Sequence, residues 1–291
     1  MRRALLALVL LLGAACTGSG SASSTTTTTE PGGTTTTSVV STTTSTTTAA
    51  TTDPGFRTRH KGVLTVATDR MEAPYVILRD GIPANGLEYD VAAAVASRLG
   101  VAVHFVAVPL VVLATGYDCG CDLYLGQVLA TELLARSTDL SEPYLSADQV
   151  VLVHAGVALS DLAGAQALRW GTQLRDDDGI AWLHRTLMPT AALDLFPDQT
   201  SLLAALHTGA LDAAVLDAPE ALVATQNDPT LLVAGRIPTG GAYAAVLPLG
   251  SPNTSALNDI IRTLTNNGTT GLLARLFLGA EPQSIPLLNL S

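Results

Sequence analysis

The sequence predicts an α/β fold for the chain beyond residue 56, and three observations predict it. Short β-branched runs alternate with Ala- and Leu-rich helical stretches, the order that builds sheets covered by helices. One run, residues 213–216, is apolar throughout and ends on Asp217, the pattern of a core strand of the parallel type. The composition also changes abruptly at Phe56, and the remainder of the chain is long enough for one large or two small packing units.

In chain order, residues 62–69 alternate apolar side chains on a β-branched background and read as a first strand ending in Asp69. Pro74 fixes a turn between Glu72 and Tyr75. Residues 90–99 are an amphipathic helix stopped by Gly100, and 101–108 a second strand. Residues 123–125 are a short apolar strand. After it comes a helical turn opened by Thr131, then an extended exit at 141–144, where Pro143 forbids helix. Strands are expected at 149–154, 168–173 and 213–216, with a helix at 201–208. Residues 236–247 read as one return strand. Helices at 253–264 and 271–278 are separated by the turn Asn266-Asn267-Gly268.

Ahead of this region lies MRRALLALVLLLGAAC, with a basic start (Arg2, Arg3), an apolar run and small residues before Cys16. That is a secretory signal pattern, too short to span a bilayer as a mature helix. Cys16, directly after Gly13-Ala14-Ala15, reads as the lipidated cysteine of a lipobox, so residues 1–16 are expected to be a lipoprotein signal peptide; the alternative is an ordinary signal peptide with an incidental cysteine. Residues 17–56 are dominated by Thr, Ser, Gly and Ala and cannot bury enough apolar surface to offset chain entropy. They are expected to be a disordered spacer between membrane and domain.

Several motifs recur in an order that resembles the bacterial extracellular solute-binding proteins of family 3, the receptors of polar amino-acid importers. The stretch Asp122, Thr131, Ser141, Pro143, Tyr144 is similar to that family's D, T-x-x-R and F-S-x-P-Y. Gly86-Leu87-Glu88-Tyr89-Asp90 is similar to G-F-D-x-D, and Asp161-Leu162-Ala163-Gly164 to D-L-x-G. The run from Gly209 through Asp212 and Ala213 to Asp217 is similar to G-x-x-D-A-x-x-x-D, and the end of the last helix to K-W-x-G. The resemblance covers about residues 60 to 280 and implies a two-lobed, periplasmic-binding-protein-like fold of type II, with two α/β lobes joined by two crossover strands. Lobe 1 is expected over 57–149 and 239–291, and lobe 2 over 150–238.

The resemblance also implies a site between the lobes. Family members hold an α-carboxylate with the arginine of T-x-x-R and with a G-T-T helix start, and an α-ammonium with the aspartate closing the G-x-x-D-A strand. Here that arginine is Leu134, the helix start is Arg175-Asp176-Asp177, and an aromatic usual before the proline turn is Glu72. Only the aspartate remains, as Asp217. Arg136 falls about 200° around a helix from Leu134 and should face away; Arg70 and Arg175 are the other cations that could reach a carboxylate. The candidate ligand residues are therefore Asp69, Glu72, Tyr75, Gln127, Arg175, Asp176, Asp177 and Asp217. This acidic set suits a cationic or polyol-like solute better than an anion, and disfavours a standard α-amino acid.

The formal net charge of −10 and the lack of a basic stripe exclude a nucleic-acid partner. Apart from Cys16, the cysteines are Cys119 and Cys121, expected to form a structural disulfide, the alternatives being two reduced thiols or a metal or redox site; with scattered histidines, no metal site and no cofactor are expected. The expected function is that of a lipid-anchored receptor on the extracellular face, a monomer whose partners are a small solute and an ABC permease. Two alternatives stand beside it. One is an enzyme on the same scaffold, similar to cyclohexadienyl dehydratases; no nucleophile–base set is visible for it. The other is a sensor or accessory protein without a transporter.

Overall fold

The structure is a computed structural model that describes residues 55–291. The signal sequence, Cys16 and the spacer up to residue 54 lie outside the described residues. Phe56, expected to end the spacer, instead packs in the buried core, and Arg57 is held by Asn253 through its N–H (2.9 Å). The folded region therefore begins ahead of residue 57.

The first lobe opens with β1 (Val63–Thr68), a hairpin of β2 (Ile77–Arg79) and β3 (Ile82–Asn85), and α1 (Leu87–Leu99). It continues with β4 (Ala102–Ala107), a short α2 (Leu110–Ala114), β5 (Leu123–Leu129) and β6 (Thr138–Ser146). The chain then crosses to β7 (Gln149–His154), α3 (Leu162–Gln166), β8 (Trp170–Gln173), α4 (Asp177–Trp182) and β9 (Asp194–Phe196). The second lobe ends with α5 (Gln199–His207), β10 (Ala213–Asp217), α6 (Ala218–Asn227) and β11 (Leu231–Ile237). A second crossover returns the chain to β12 (Ala242–Pro248), α7 (Thr254–Asn266) and α8 (Thr269–Leu278). Two five-stranded sheets result, ordered β4-β1-β5-β12-β6 and β11-β7-β10-β8-β9.

Burial follows the sequence pattern. In β1 every residue after Val63 is buried, as a strand covered on both faces requires. In α1 Val91, Ala92, Val95 and Ala96 form the inward stripe, and Gly100 ends the helix in the left-handed conformation at φ 68°. Leu64, Val66 and Leu87 belong to one continuous core with Tyr144, Tyr243, Leu152, Leu202 and Leu216. Val151, Val153, Trp170 and Leu183 pack in a second core.

Several elements differ from the sequence expectation. Strand β5 runs to Leu129 rather than 125, past an irregularity in its pairing with β12 where Gln127 takes φ 54°. Helix α1 starts at Leu87, three residues early, because its first N–H groups find carbonyl partners in the preceding loop. Strand β10 is parallel to β8 but antiparallel to β7, since β7 enters directly from the crossover. The single return strand is two strands, β11 and β12, divided at Pro238 and Gly240 (φ 75°).

The crossovers are joined by one buried ion pair. Asp148, 7% exposed at its side chain, receives Arg236 Nη1 at 2.6 Å, with Arg236 itself 17% exposed. Ser146 Oγ (2.9 Å) and the Thr239 N–H (3.2 Å) also donate to Asp148. Arg236 Nε donates to Ile285 O at 3.1 Å, which brings the C-terminal tail to the same place. From there the tail lies along β11: the Arg236 N–H donates to Pro286 O (2.8 Å) and the Leu288 N–H to Arg236 O (2.9 Å). Gly235 is required at this contact, since a Cβ there would meet Leu288 Cα at 2.6 Å.

Arg236→Ala strands a buried carboxylate and is expected to destabilise the domain by about 3–5 kcal/mol. Chemical denaturation of the purified domain measures this; a change under about 1 kcal/mol would show that Asp148 is satisfied without its partner.

Candidate functional site

The first wall of the cleft is set at the end of β1. Past Thr68 the chain turns outward, with the Arg70 N–H bonded to Thr68 Oγ1 (3.1 Å) and the Asp69 N–H to the Tyr124 hydroxyl (3.1 Å). The next loop is gripped by α1: the Leu87 N–H donates to Pro74 O (2.8 Å) and the Glu88 N–H to Tyr75 O (3.0 Å). Free N–H groups at a helix start thus find carbonyls. This approach needs Gly86, at φ 123°, because a Cβ there would lie 2.3 Å from Tyr75 O. Tyr75 is buried at 6% exposure, and its ring carries the Arg70 guanidinium 5.3 Å from the ring centre.

Behind this loop Glu88 is fully buried, and the Tyr144 hydroxyl donates to its two carboxylate oxygens at 2.9 and 3.0 Å. Burial pushes Glu88 up to about 7, against the pull of Tyr144 and Arg70. The same Tyr144 hydroxyl accepts from the Gln127 N–H at 3.3 Å, which fixes the turn that presents the Gln127 side chain.

The second wall is built where β7, β8 and β10 reach the cleft. Gln149, 2% exposed, opens β7 and donates through Nε2 to Asp217 Oδ1 at 2.6 Å, while its Oε1 is buried without a partner. Asp217 closes β10, with Tyr243 beside it. Glu220 stands in the first turn of α6, behind Pro219, and accepts from Gln173 Nε2 at 2.7 Å. Asp176 caps α4 through the Gly179 N–H (2.8 Å) and accepts from Thr172 Oγ1 (2.6 Å).

These carboxylates are crowded and desolvated. Burial, then Asp217 and Asp176, raises Glu220 to about 7. Burial, with Asp217 and Asp178 adding, raises Asp176 to about 6. Burial also raises Asp217. Among the described residues none of the three forms an ion pair within 4.0 Å.

Two cavities occupy the cleft, and Leu129 borders both. One of about 550 Å³ is lined by Asp69, Arg70, Glu72, Gln127 and Leu134, among others. The other, of about 430 Å³, is lined by Arg175, Asp176, Asp177 and Asp217 together with Thr131, Gln149, Gln173, Asp178 and Glu220. The predicted residues are thus divided between two cavities, except Tyr75, which lines neither and instead supports Arg70. Arg136 is exposed and lines neither cavity. Leu134 faces the first cavity, with its back against the cluster of Cys121, Tyr124 and Leu113. Cys119 and Cys121 are disulfide-bonded at the edge of that cluster. No group of three or more His, Cys, Asp or Glu suited to a metal ion occurs among the described residues.

Glu220, Gln149 and Gln173 are not among the residues expected from sequence. For Glu220 a signal exists: Asp217-Ala218-Pro219-Glu220 is a strand end followed by proline in a helix's first turn, which puts the glutamate one turn from Asp217. Gln149 and Gln173 depend on register between strands distant in sequence.

The family profile described as bacterial extracellular solute-binding proteins, family 3, matches residues 64–280. Among solved structures, the chain is similar to an amino-acid ABC transporter substrate-binding protein from Streptococcus pneumoniae bound to L-arginine. That likeness has 26% identity, TM-score 0.57, and covers 78% of this chain and 96% of that one. It is similar in fold to the L-cystine solute receptor of Neisseria gonorrhoeae in the unliganded open conformation (22%, TM-score 0.64, 76% and 94% covered). It is also similar in fold to an ancestral cationic amino-acid solute-binding protein (22%, TM-score 0.60, 75% and 96% covered). No curated protein matches the chain. No helix among the described residues is long and apolar enough to cross a membrane.

The raised carboxyls fix the sign of a pH effect. Glu220 and Glu88 at about 7, and Asp176 at about 6, lie above their ordinary values of 4.5 and 3.8. The folded chain therefore binds more protons than the unfolded chain across that interval, and their contribution is lost as pH rises through 6 to 7. The ligand-free domain is expected to melt higher at about pH 5 than at about pH 8, and Glu220→Gln to remove on the order of 2 kcal/mol of the difference. Melting curves across this range check it; a melting point that climbs steadily toward pH 8 contradicts it.

Proposed function

The chain belongs to the bacterial extracellular solute-binding proteins of family 3, and from that premise we propose a receptor that captures a small cationic solute between its lobes for an ABC importer. One observation carries the reading. Asp176, Asp217 and Glu220 share a partly desolvated wall without an ion-pair partner, and the buried Gln149 Oε1 in the same cavity has no donor. Like charges held together out of water are costly until a counter-charge arrives. A bound ammonium or guanidinium supplies it, and donates to the free oxygen as well. Such a ligand binds the closed arrangement better than the open one and so favours closure. The similar streptococcal protein bound to L-arginine, itself a cation, supports the same charge preference.

The family's two usual grips on an α-carboxylate are replaced here by Leu134 and by Arg175-Asp176-Asp177. The solute is therefore one for which those contacts are dispensable, rather than a standard α-amino acid held in the usual way. Lipidation at Cys16 would hold the receptor at the outer face of the membrane, with residues 17–54 as a tether. The dehydratase alternative would draw on Glu220 as a general acid, its carboxyl being half-protonated near neutrality. Turnover of prephenate or arogenate by the purified domain would establish that reading.

A thermal-shift screen tests the function. Agmatine, cadaverine and related cations are expected to raise the melting point, with stabilisation of roughly 2.7 kcal/mol at a hundredfold excess over Kd, while acetate and glutarate do not. The reverse pattern overturns the proposal. Asp217→Ala is expected to weaken cation binding by about 2–5 kcal/mol in calorimetric titration. Cation affinity should also fall as pH drops through about 7 and about 6, where Glu220 and Asp176 take up protons. Cys16→Ser should move the protein from the membrane to the soluble fraction, and a variant that stays membrane-bound would rule out the lipid anchor.

A further inference from the structure

Two basic side chains line the cleft, Arg175 in the second cavity and Arg70 in the first, and the acidic wall leaves Arg70 unexplained. Arg70 is the basic side chain in the first cavity, which it shares with Leu134. Its guanidinium lies over the Tyr75 ring, 5.3 Å from the ring centre, and forms no ion pair within 4.0 Å among the described residues. Its backbone is fixed by Thr68, and the ring beneath it by the grip of α1 on the proline loop. Asp69 and Glu72 border the same cavity, but both are exposed, so water screens their charges. Arg70 stands in the field of the buried Glu88, Asp217 and Glu220 but is bonded to none of them, so its donors remain open two residues past the strand end where the cleft begins.

A second observation points the same way. The Gln127 Nε2 is buried without an acceptor, and Gln127 lines the first cavity. The Gln149 Oε1 is buried without a donor, and Gln149 lines the second. The cavity with the guanidinium thus has a spare donor, and the cavity with the carboxylates has a spare acceptor. Leu129 lines both cavities.

Resting on the cation reading of the cleft, we propose that the solute is dipolar, with its cationic group in the second cavity and a carboxylate in the first, held by Arg70 and Gln127. Arg70 supplies, from the end of β1, the charge that Leu134 does not supply from the turn after β5. A guanidinium seated over an aromatic ring and free of an ion pair keeps its forked donors for a carboxylate, which such a fork takes bidentately. The carboxylate then lies away from Asp176, Asp177 and Asp178 at the start of α4, where like charge would repel it. The charges of the ligand sit in different cavities, which selects molecules whose cationic and anionic ends are separated along a chain.

Calorimetric titration with matched pairs tests this: L-arginine against agmatine, and 5-aminopentanoate against pentylamine, the members of each pair differing by one carboxylate. The wild-type domain is expected to favour the carboxylate-bearing member by about tenfold or more. In Arg70→Gln that ratio should fall to near one, in Arg70→Lys part of it should remain, and adding Leu134→Arg to Arg70→Gln should restore it. If the wild type shows no preference within either pair, or if Arg70→Gln tightens both members alike, Arg70 serves only to balance Glu220 and the proposal is wrong. In either of those cases the cation reading survives. If no member of either pair binds, both fall together.

Discussion

A single desolvated ion pair governs the layout of this molecule. Asp148 and Arg236 meet between the two crossovers, in surroundings where neither charge is tolerable alone. The backbone of Asp148 extends the effect into the cleft. Its carbonyl accepts from the Ala218 N–H (2.9 Å), which fixes the point where β10 gives way to α6. Asp217 and Glu220 flank that point, and Gln149 is the next residue after Asp148. The residue that ties the crossovers together therefore also places three side chains of the acidic wall. Position and charge in the cleft are consequences of how the lobes are joined.

The chemistry of the wall follows from this placement. Three carboxyls brought together out of water resist ionisation, and Glu220 and Asp176 accordingly sit near neutrality in their proton affinity. An empty closed cleft holds these groups at a free-energy cost, which an open one relieves by hydration. In the proposed receptor a cation would offset that cost once both walls surround it. On that reading ligand charge and lobe closure would be coupled through desolvation, without a dedicated switch.

Much of the fold was legible in sequence because the relevant signals are local. The apolar run of β10 marks a core strand, Gly100 stops α1 in the left-handed region, and Thr131 caps the turn at Leu134 through its hydroxyl (3.2 Å). What was not legible depends on contacts between distant segments. The hairpin β2–β3 and helix α2 are too short to show periodicity, and the break between β11 and β12 appears only once the crossovers are paired. The same division applies to the site. Asp217 ends a recognisable strand, whereas Gln149 and Gln173 enter by strand register. That Arg70 and Leu134 face one cavity cannot be read from residues so far apart in the chain. The loss of an arginine at 134 was visible; where a guanidinium stands instead required the folded chain.

The tail along β11 has a consequence beyond its contact with Arg236. Without it β11 would be the outer strand of the second sheet, with a row of unpaired amides open to any extended segment that came near. Residues 286–288 occupy that row from within the same molecule, and Gly235 lets the backbones close together. The sheet thus carries its own edge guard. For the lipid-anchored receptor proposed above, whose neighbours would be at high local concentration, such a guard would oppose strand-to-strand self-association and leave the cleft as the place where a partner is gained.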